Sequence, residues 1–304
     1  MVVERSEPVR ARRVSLQRIL LAGILLFVGA IVLDRIAEVA LKQLLLHSSY
    51  RYMRVYEQGP AAHYLIVGNS RAGSHFPHSA NGGTEFFNLG NGGMTVAYGA
   101  ALARDYIDHH GARGTAIIEV SFLSDARSGE DVAGLARIFS ARVEALPTDH
   151  GRFERAAARL FHLLRFNQPM LANALVGLLW ERQERADSAR ISPAVLTEVA
   201  RTPAYEMDAS ADNIETTGRL IRDLRRRGMM VVCVLTPIAG ERRAKISNLA
   251  KFIAQMRMMA EANGASFLDY SAYFSDDALF ADTLHLNSEG EKRFDDAFFK
   301  KIAG

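Results

Sequence analysis

Two short stretches, far apart in the chain, contain residue types that can together perform nucleophilic catalysis. The first is Gly68-Asn69-Ser70, directly after the apolar run at 64–67. The second contains Asp282 and His285, close to the C-terminus. A serine attacks a carbonyl carbon when a histidine takes its proton, and a carboxylate orients that histidine. These residue types therefore predict that Ser70, His285 and Asp282 act together in acyl transfer.

Each of these residues alone has a more common structural explanation. Serines that follow strands usually occupy turns or cap helices. A loop histidine is often simply exposed, and an aspartate before a helix often caps it. The catalytic hypothesis therefore depends on the three residues being brought together by the fold.

The elements that must position them alternate between apolar runs and helix-compatible stretches. Strands are predicted at 64–67, 85–88, 115–121, 229–235 and 266–269, and helices at 95–109, 213–227, 242–263 and 288–302. This alternation predicts an α/β fold in which a parallel sheet carries helices on both faces. Open sheets of this kind bind ligands at the carboxyl ends of their strands. Ser70 is predicted at that edge, and Asp282 and His285 in the loop before the last helix.

The gap between the third and fourth strands, about 124–212, is too long for one crossover. It contains a leucine-rich stretch at 152–184 that predicts a long helix, with prolines on either side of it and one within it. We interpret this gap as a helical insertion. Three roles remain open for it: cover for one edge of the sheet, a lid, or a surface for docking a partner.

The N-terminus carries a membrane signal. Residues 1–18 contain five arginines, and residues 19–33 then run without a charge. Fifteen helical residues span about 22 Å, slightly less than the ~30 Å hydrocarbon core of a bilayer, but flanking charged side chains tolerate that mismatch. We interpret this run as a transmembrane anchor. A cleaved signal peptide and a buried core helix are the alternatives.

The predicted organisation follows from this anchor. It comprises a cytoplasmic basic segment (1–18), a transmembrane anchor (19–35), a juxtamembrane linker (36–59) and a globular domain (60–304). Basic residues ahead of the anchor favour an N-terminus in the cytoplasm. The expected location is the inner (cytoplasmic) membrane, crossed once, with the globular domain in the periplasm or otherwise outside the cytoplasm.

Composition argues against several other classes of protein. The net charge of +3 is spread along the chain, which argues against nucleic acid as a partner. The one cysteine, Cys233, lies in an apolar run and is expected to be a buried small side chain. His63, His75 and His78 lack a matching pattern of ligands, so no metal is expected. No phosphate-loop or dinucleotide fingerprint follows a strand, and no cofactor is expected.

The motifs resemble those of the SGNH (GDSL-like) hydrolases. Gly68-Asn69-Ser70 resembles their first block, Gly-Asp-Ser. The stretch from Asn88 to Thr95, an asparagine followed by a glycine-rich turn, resembles the second, and Asp282 to His285 with the following Leu-Asn-x-x-Gly resembles the last. The blocks occur in family order. The resemblance implies a flavodoxin-like three-layer α/β/α sandwich with a parallel sheet, the SGNH hydrolase fold, and a serine esterase activity.

The resemblance also implies an oxyanion hole. Its donors would be the backbone N–H groups of Ser70 and Gly93, while Gly90 and Gly92 would shape the turn because glycine permits positive φ and close approach. Arg71 follows the nucleophile. We expect it to face solvent in the first helical turn, with binding of an anionic substrate group as the alternative.

The chain departs from the family pattern in two blocks. The usual third block, Gly-x-Asn-Asp, provides an asparagine donor, but this chain has no asparagine after its third strand. Ser121 or Ser124 would have to replace it, or two donors must suffice. Asn69 also replaces the usual aspartate. Both departures resemble a membrane-anchored subset that acylates extracellular polysaccharides together with a membrane-bound O-acyltransferase.

The sequence therefore supports three hypotheses about the function, of which the first is favoured. The first is a membrane-anchored, extracytoplasmic serine O-acyltransferase or esterase acting on acyl esters of cell-envelope carbohydrate. The second is a non-catalytic accessory or scaffold protein of a polysaccharide-modifying assembly. The third is a lipid or thioester hydrolase. The first predicts that Ser70→Ala abolishes activity without unfolding the chain.

Overall fold

A computed structural model describes residues 16–46, 55–56, 59–77, 85–124, 140–146, 152–165 and 190–303. The strands are β1 (Tyr64–Val67), β2 (Phe86–Asn88), β3 (Thr115–Glu119), β4 (Met230–Leu235) and β5 (Ser266–Asp269). The helices are α1 (Leu16–Leu46), α2 (Ser70–His75), α3 (Val96–His110), α4 (Ala141–Glu144), α5 (Arg152–Leu160), α6 (Pro193–Arg201), α7 (Ala211–Arg226), α8 (Gly240–Ala244), α9 (Leu249–Ala262) and α10 (Ser288–Ala303). The chain divides into two compact units: the smaller contains most of α1 and residues 152–165, and the larger contains the sheet.

The five strands form one parallel sheet in the order β2-β1-β3-β4-β5. Ile66 of β1 lies beside Ile117 of β3, which lies beside Val232 of β4. The central strands are mostly apolar and buried, with Thr115 and Glu119 at the two ends of β3, because both faces of the sheet are covered by helices. The predicted three-layer α/β/α fold is confirmed.

Helices cover the two faces in two groups. On one face, Ile66, Ile117 and Val232 pack with Phe76, which follows α2, and with phenylalanines of α10. On the other face, α7 contacts α3, α9 and β4. The two layers bury the strands and leave their carboxyl ends available for a site.

The helix predicted at 242–263 is divided in two, which corrects the sequence-based expectation. It forms α8 and α9, separated by residues 245–248. The separating residues are bonded elsewhere: the N–H of Tyr205 donates to the carbonyl of Lys245, and the N–H of Ser247 donates to the carbonyl of Tyr205. The long-range pairing with Tyr205 replaces the intrahelical bonds there.

The strand predicted at 115–121 also ends early, at Glu119, and residues 120–124 form a 3-10 turn.

The predicted insertion is described only in part. Its described segments include α4, α5 and α6, and the boundaries at 124 and 212 stay a prediction. The long helix predicted at 152–184 is wrong in its described part, because α5 ends at Leu160 and a 3-10 turn follows at His162–Arg165. Residues 166–184 lie outside the described residues.

The N-terminal helix α1 is 31 residues long. Within its stretch Gln17–Leu44, the most apolar window of 18 residues has a mean hydropathy of 2.4, and only 6% of that window is buried. The alternative of a buried core helix is therefore wrong. The helix has the length and composition of a membrane span or of a signal sequence, and it extends past the predicted end of the anchor into the predicted linker.

Candidate active site

Ser70 is the first residue of α2, directly behind the carboxyl end of β1. Gly68 permits the sharp exit from the strand, since a Cβ there would lie 2.7 Å from the Cβ of Ala72 and 3.0 Å from that of Glu119. Asn69 caps the helix: its side-chain oxygen accepts the N–H of Arg71 at 3.0 Å. The local sequence thus holds the Ser70 hydroxyl at the carboxyl edge of the sheet.

The loop before α10 is built around the Asp282 carboxylate. One oxygen accepts the N–H groups of Leu284 at 2.7 Å and His285 at 2.9 Å. The other lies 2.7 Å from Nδ1 of His285. Burial raises the pKa of Asp282, but the hydrogen bonds from the His285 ring and the two N–H groups outweigh it and lower the pKa to about 2. Asp282 is therefore ionised at neutral pH.

The His285 ring connects this carboxylate to Ser70. Its Nε2 lies 2.8 Å from Oγ of Ser70. Because an ionised carboxylate only accepts, Nδ1 carries the ring proton and Nε2 has a free lone pair for the serine proton. The structure thus brings Ser70, His285 and Asp282 into one hydrogen-bonded chain, although Ser70 and His285 are 215 residues apart in sequence.

The residues after His285 fix where its loop sits. Oδ1 of Asn287 accepts the N–H of Gly290 at 3.0 Å, and its Nδ2 donates to the carbonyl of Ala278 at 2.7 Å. Gly290 contacts the preceding chain so closely that a Cβ would lie 2.1 Å from the carbonyl oxygen of Leu279. The asparagine and glycine of this motif therefore dock α10 against the loop.

The glycine-rich loop after β2 is attached to α2. Nδ2 of Asn88 donates to the carbonyls of Ala72 at 2.9 Å and Phe76 at 3.1 Å, and its Oδ1 accepts the N–H of Gly90 at 2.8 Å. At Gly90 a Cβ would lie 2.3 Å from the backbone nitrogen of Gly73. Asn88 and Gly90 thus join this loop to the helix that begins with Ser70.

Gly93 is the glycine of this loop that needs positive φ. Its φ is +71°, whereas neither Gly90 nor Gly92 has φ in the left-handed region, which corrects the expectation for those two residues. Gly90 does make the expected close approach. Among the described residues, no protein acceptor receives the backbone N–H of Ser70 or of Gly93, so both donors remain free for a ligand.

Ser121 and Ser124 have other partners. Oγ of Ser121 donates to a carboxylate oxygen of Glu119 at 2.6 Å, and Oγ of Ser124 donates to the carbonyl of Ser121 at 2.8 Å. A hydroxyl has one proton to donate. In this arrangement neither serine has a proton left for an oxyanion, which disfavours the alternative that one of them replaces the third-block asparagine.

Arg71 is buried, contrary to the expectation that it faces solvent. The residue is 4% exposed, and its side chain donates to the carbonyls of Thr236 at 2.5 Å and Pro237 at 2.9 Å. One guanidinium nitrogen lies 4.0 Å from a carboxylate oxygen of Glu119. Arg71 thus links α2 to the chain that leaves β4, beneath the site.

Glu119 was missed by sequence reasoning. It is fully buried at the end of β3 and accepts the N–H and hydroxyl of Ser121 and the hydroxyl of Thr236 at 3.2 Å. Buried carboxylates persist only when they are paired and hydrogen-bonded. A glutamate at the end of an apolar strand was the signal that could have identified it.

His75, also missed, braces the His285 loop from the far end of α2. It is fully buried, and its Nε2 lies 3.0 Å from the carbonyl oxygen of Leu284 and 3.1 Å from the nitrogen of Leu286. Either neutral tautomer therefore makes one hydrogen bond to the residues that flank His285. Burial holds the pKa of His75 well below its usual value, which keeps the ring neutral.

In the part of the chain that the structure describes, no group of three or more histidine, cysteine or acidic side chains is placed to hold a metal. His78 lies outside the described residues.

Cys233 is buried as expected, and burial raises the pKa of its thiol to about 12. It is therefore not a reactive thiol.

Comparison with known proteins gives little direct guidance. No protein-family model matches the chain, and no curated protein matches it by sequence. One solved structure that resembles it comes from Streptococcus pneumonia and is provisionally described as a platelet activating factor. It is 11% identical, the match covers 90% of this chain and 99% of that one, and the TM-score is 0.41. Similarity at that level supports no inference about activity.

Proposed function

We propose that this protein is a serine acyl-transfer enzyme in which Ser70 is the nucleophile, His285 the general base and Asp282 the residue that orients His285. One observation carries the proposal: the continuous contacts of 2.8 Å from Ser70 to His285 and 2.7 Å from His285 to Asp282. Both distances lie in the range expected of an activated nucleophile and its base, about 2.6–3.2 Å.

The proposed reaction has two halves. Oγ of Ser70 bonds to the ester carbonyl carbon while its proton passes to Nε2 of His285, and the carbonyl oxygen becomes an oxyanion. The N–H groups of Ser70 and Gly93 are proposed to donate to that oxygen. The intermediate then expels the alcohol, which takes the proton from His285 and leaves an acyl-serine. An incoming hydroxyl or water repeats these steps in the second half.

We further propose that the enzyme works outside the cytoplasm on acyl esters of cell-envelope carbohydrate, held to the membrane by α1. The exposed apolar surface of α1 and the arginines ahead of it support the anchor and its orientation. The motif resemblance supports carbohydrate as the acceptor and a membrane-bound O-acyltransferase as the partner.

The test is covalent labelling of the full chain in detergent with a fluorophosphonate. Attack by an activated serine forms a P–O bond and expels fluoride, which shifts the intact mass by the phosphonyl group. We expect one adduct that maps to Ser70 and is absent from Ser70→Ala. Ser74→Ala is the matched control, because Ser74 lies one turn later in α2 and donates only to the carbonyl of Ser70.

A folded chain with no adduct would favour the non-catalytic accessory role instead. One observation supports that second candidate: the hydroxyls of Ser121 and Ser124 are committed to other acceptors, which leaves the two proposed backbone donors for an oxyanion among the described residues. Losing one donor typically costs about 2.7–4 kcal/mol of transition-state stabilisation. Labelling at Ser70 would exclude this candidate, since it needs an activated hydroxyl.

A further inference from the structure

A short segment outside the sheet-containing unit exposes apolar side chains. In α5 and the 3-10 turn after it, Phe153 is 86% exposed, Leu160 42% and Leu164 61%. The spacing of seven residues puts Phe153 and Leu160 on one side of α5, and Leu164 follows in the 3-10 turn. Glu154 and Arg159, both exposed, are displaced from that side. Residues 152–165, here named the amphipathic segment, thus have apolar side chains that the described residues leave 42% to 86% exposed.

Buried polar contacts fix this segment to α1. The carboxylate of Asp34 accepts the N–H groups of His162 at 2.8 Å and Leu163 at 3.0 Å. Glu38 pairs with Nδ1 of His162 at 2.5 Å and with Lys42 at 2.7 Å. Asp34 and Glu38 are 5% and 7% exposed, so these acids are satisfied by the segment and by α1 itself. The segment therefore has a defined position along α1.

That position lies where the apolar run of α1 ends. Asp34 is the first charged residue after the run at 19–33. The ring of Phe161 lies edge-on to Phe27, with 6.2 Å between the ring centroids. Phe27 precedes Asp34 by two helical turns, about 10 Å along the axis. Phe161 therefore reaches back along α1 into the apolar run, while the adjoining backbone binds Asp34.

We propose that the amphipathic segment lies in the membrane interface and inserts its apolar face among lipid acyl chains beside α1. The partner is the bilayer, because α1 and the segment fixed to it both expose large apolar side chains. Helices with one apolar face and one charged face bury the apolar face to a depth of about 5–10 Å. The inference rests on the membrane anchor of the proposed function.

The test uses the full chain in vesicles of phosphatidylcholine and phosphatidylglycerol. An environment-sensitive fluorophore is attached to single cysteines in a Cys233→Ala background. Phe153→Cys and Leu164→Cys report on the apolar face, and Glu154→Cys and Arg159→Cys are the matched controls on the polar side. Leu26→Cys, 75% exposed in α1, reports on the anchor alone. Each label is quenched by spin-labelled lipid or by aqueous iodide, after circular dichroism shows an unchanged fold.

We expect the labels at 26, 153 and 164 to be quenched by lipid, and those at 154 and 159 by iodide. Lipid quenching at 26 with iodide quenching at 153 and 164 would overturn the inference and leave the anchor standing. No lipid quenching at 26 would overturn the anchor and this inference with it. Labels at 153 and 164 that neither reagent reaches would show protein cover, such as a second copy of the chain, and would also overturn it.

Discussion

At the scale of single residues, Ser70 and His75 lie at the two ends of one six-residue helix, and both contact the His285 loop. Ser70 contacts the ring of His285, and His75 bonds to the backbone that flanks it. A rigid helix between them fixes the distance from nucleophile to base. His75 is therefore a positioning residue in the proposed reaction.

His75→Phe keeps an apolar ring in place but removes the hydrogen bond to the loop. A hydrogen bond contributes about 1 kcal/mol net, so we expect fluorophosphonate labelling at Ser70 to slow by about fivefold to tenfold. His63→Phe is the matched control, because His63 is exposed. Labelling of His75→Phe at the wild-type rate would show that the ring does not position His285.

The same substitution has a pH signature. Burial lowers the pKa of His75, so below its unfolded value of about 6.5 the unfolded chain binds a proton that the folded chain refuses. The contribution of His75 to the free energy of unfolding therefore has its full value above about pH 6.5 and decreases as the pH falls below it. We expect His75→Phe to flatten the decline in the free energy of unfolding between about pH 6.5 and pH 5. If the free energy of unfolding of His75→Phe declines as steeply as that of the wild type, another titrating group causes the pH dependence.

At the scale of elements, the site depends on how α10 docks behind the His285 loop. Gly290→Ala would place a Cβ 2.1 Å from the carbonyl oxygen of Leu279, and backbone must move to relieve that contact. We expect a loss of about 1–3 kcal/mol in the free energy of unfolding and slower labelling at Ser70. Gly59→Ala, where a Cβ meets nothing within 4 Å, is the control and should change neither quantity.

The buried pair of Arg71 and Glu119 joins α2 to the ends of β3 and β4. Arg71→Met removes one charge and leaves Glu119 buried without its counter-ion, which typically costs about 3–5 kcal/mol. Chemical denaturation in detergent measures this loss. We expect the double substitution Arg71→Met with Glu119→Gln to recover part of it. Equal losses in the single and double variants would show that the carbonyl contacts of Arg71 matter more than its charge pair.

At the scale of the whole molecule, α1 is the element that would place the proposed reaction outside the cytoplasm. The proposed orientation predicts that alkaline phosphatase fused after Gly304 is active, since it folds outside the cytoplasm, and that a green fluorescent protein at the same place is dark. The intact mass of the membrane-extracted chain should equal that of the uncleaved sequence, because an anchor is retained. A fluorescent green fluorescent protein fusion with an inactive phosphatase fusion would show that the orientation is the reverse. A mass lower by the N-terminal segment would identify a cleaved signal peptide.

Local sequence was sufficient to predict several features of this protein. Apolar runs identified the central strands because a parallel sheet covered on both faces needs them, and shorter apolar pairs identified the edge strands β2 and β5. Asp282 and His285 could be paired because their contact spans three residues and is closed within one loop. The long charge-free run of α1 is likewise a local property, and the structure shows it as an exposed helix.

Other features required the tertiary structure, because distant segments determine them. The burial of Arg71 depends on carbonyls of Thr236 and Pro237, more than 160 residues away. The break between α8 and α9 depends on backbone bonds from Tyr205. His75 meets the His285 loop across more than 200 residues. The sequence by itself determined which elements form and which residue types are available; only the packing of those elements decided which side chains meet, since contacts at long sequence separation leave no local pattern.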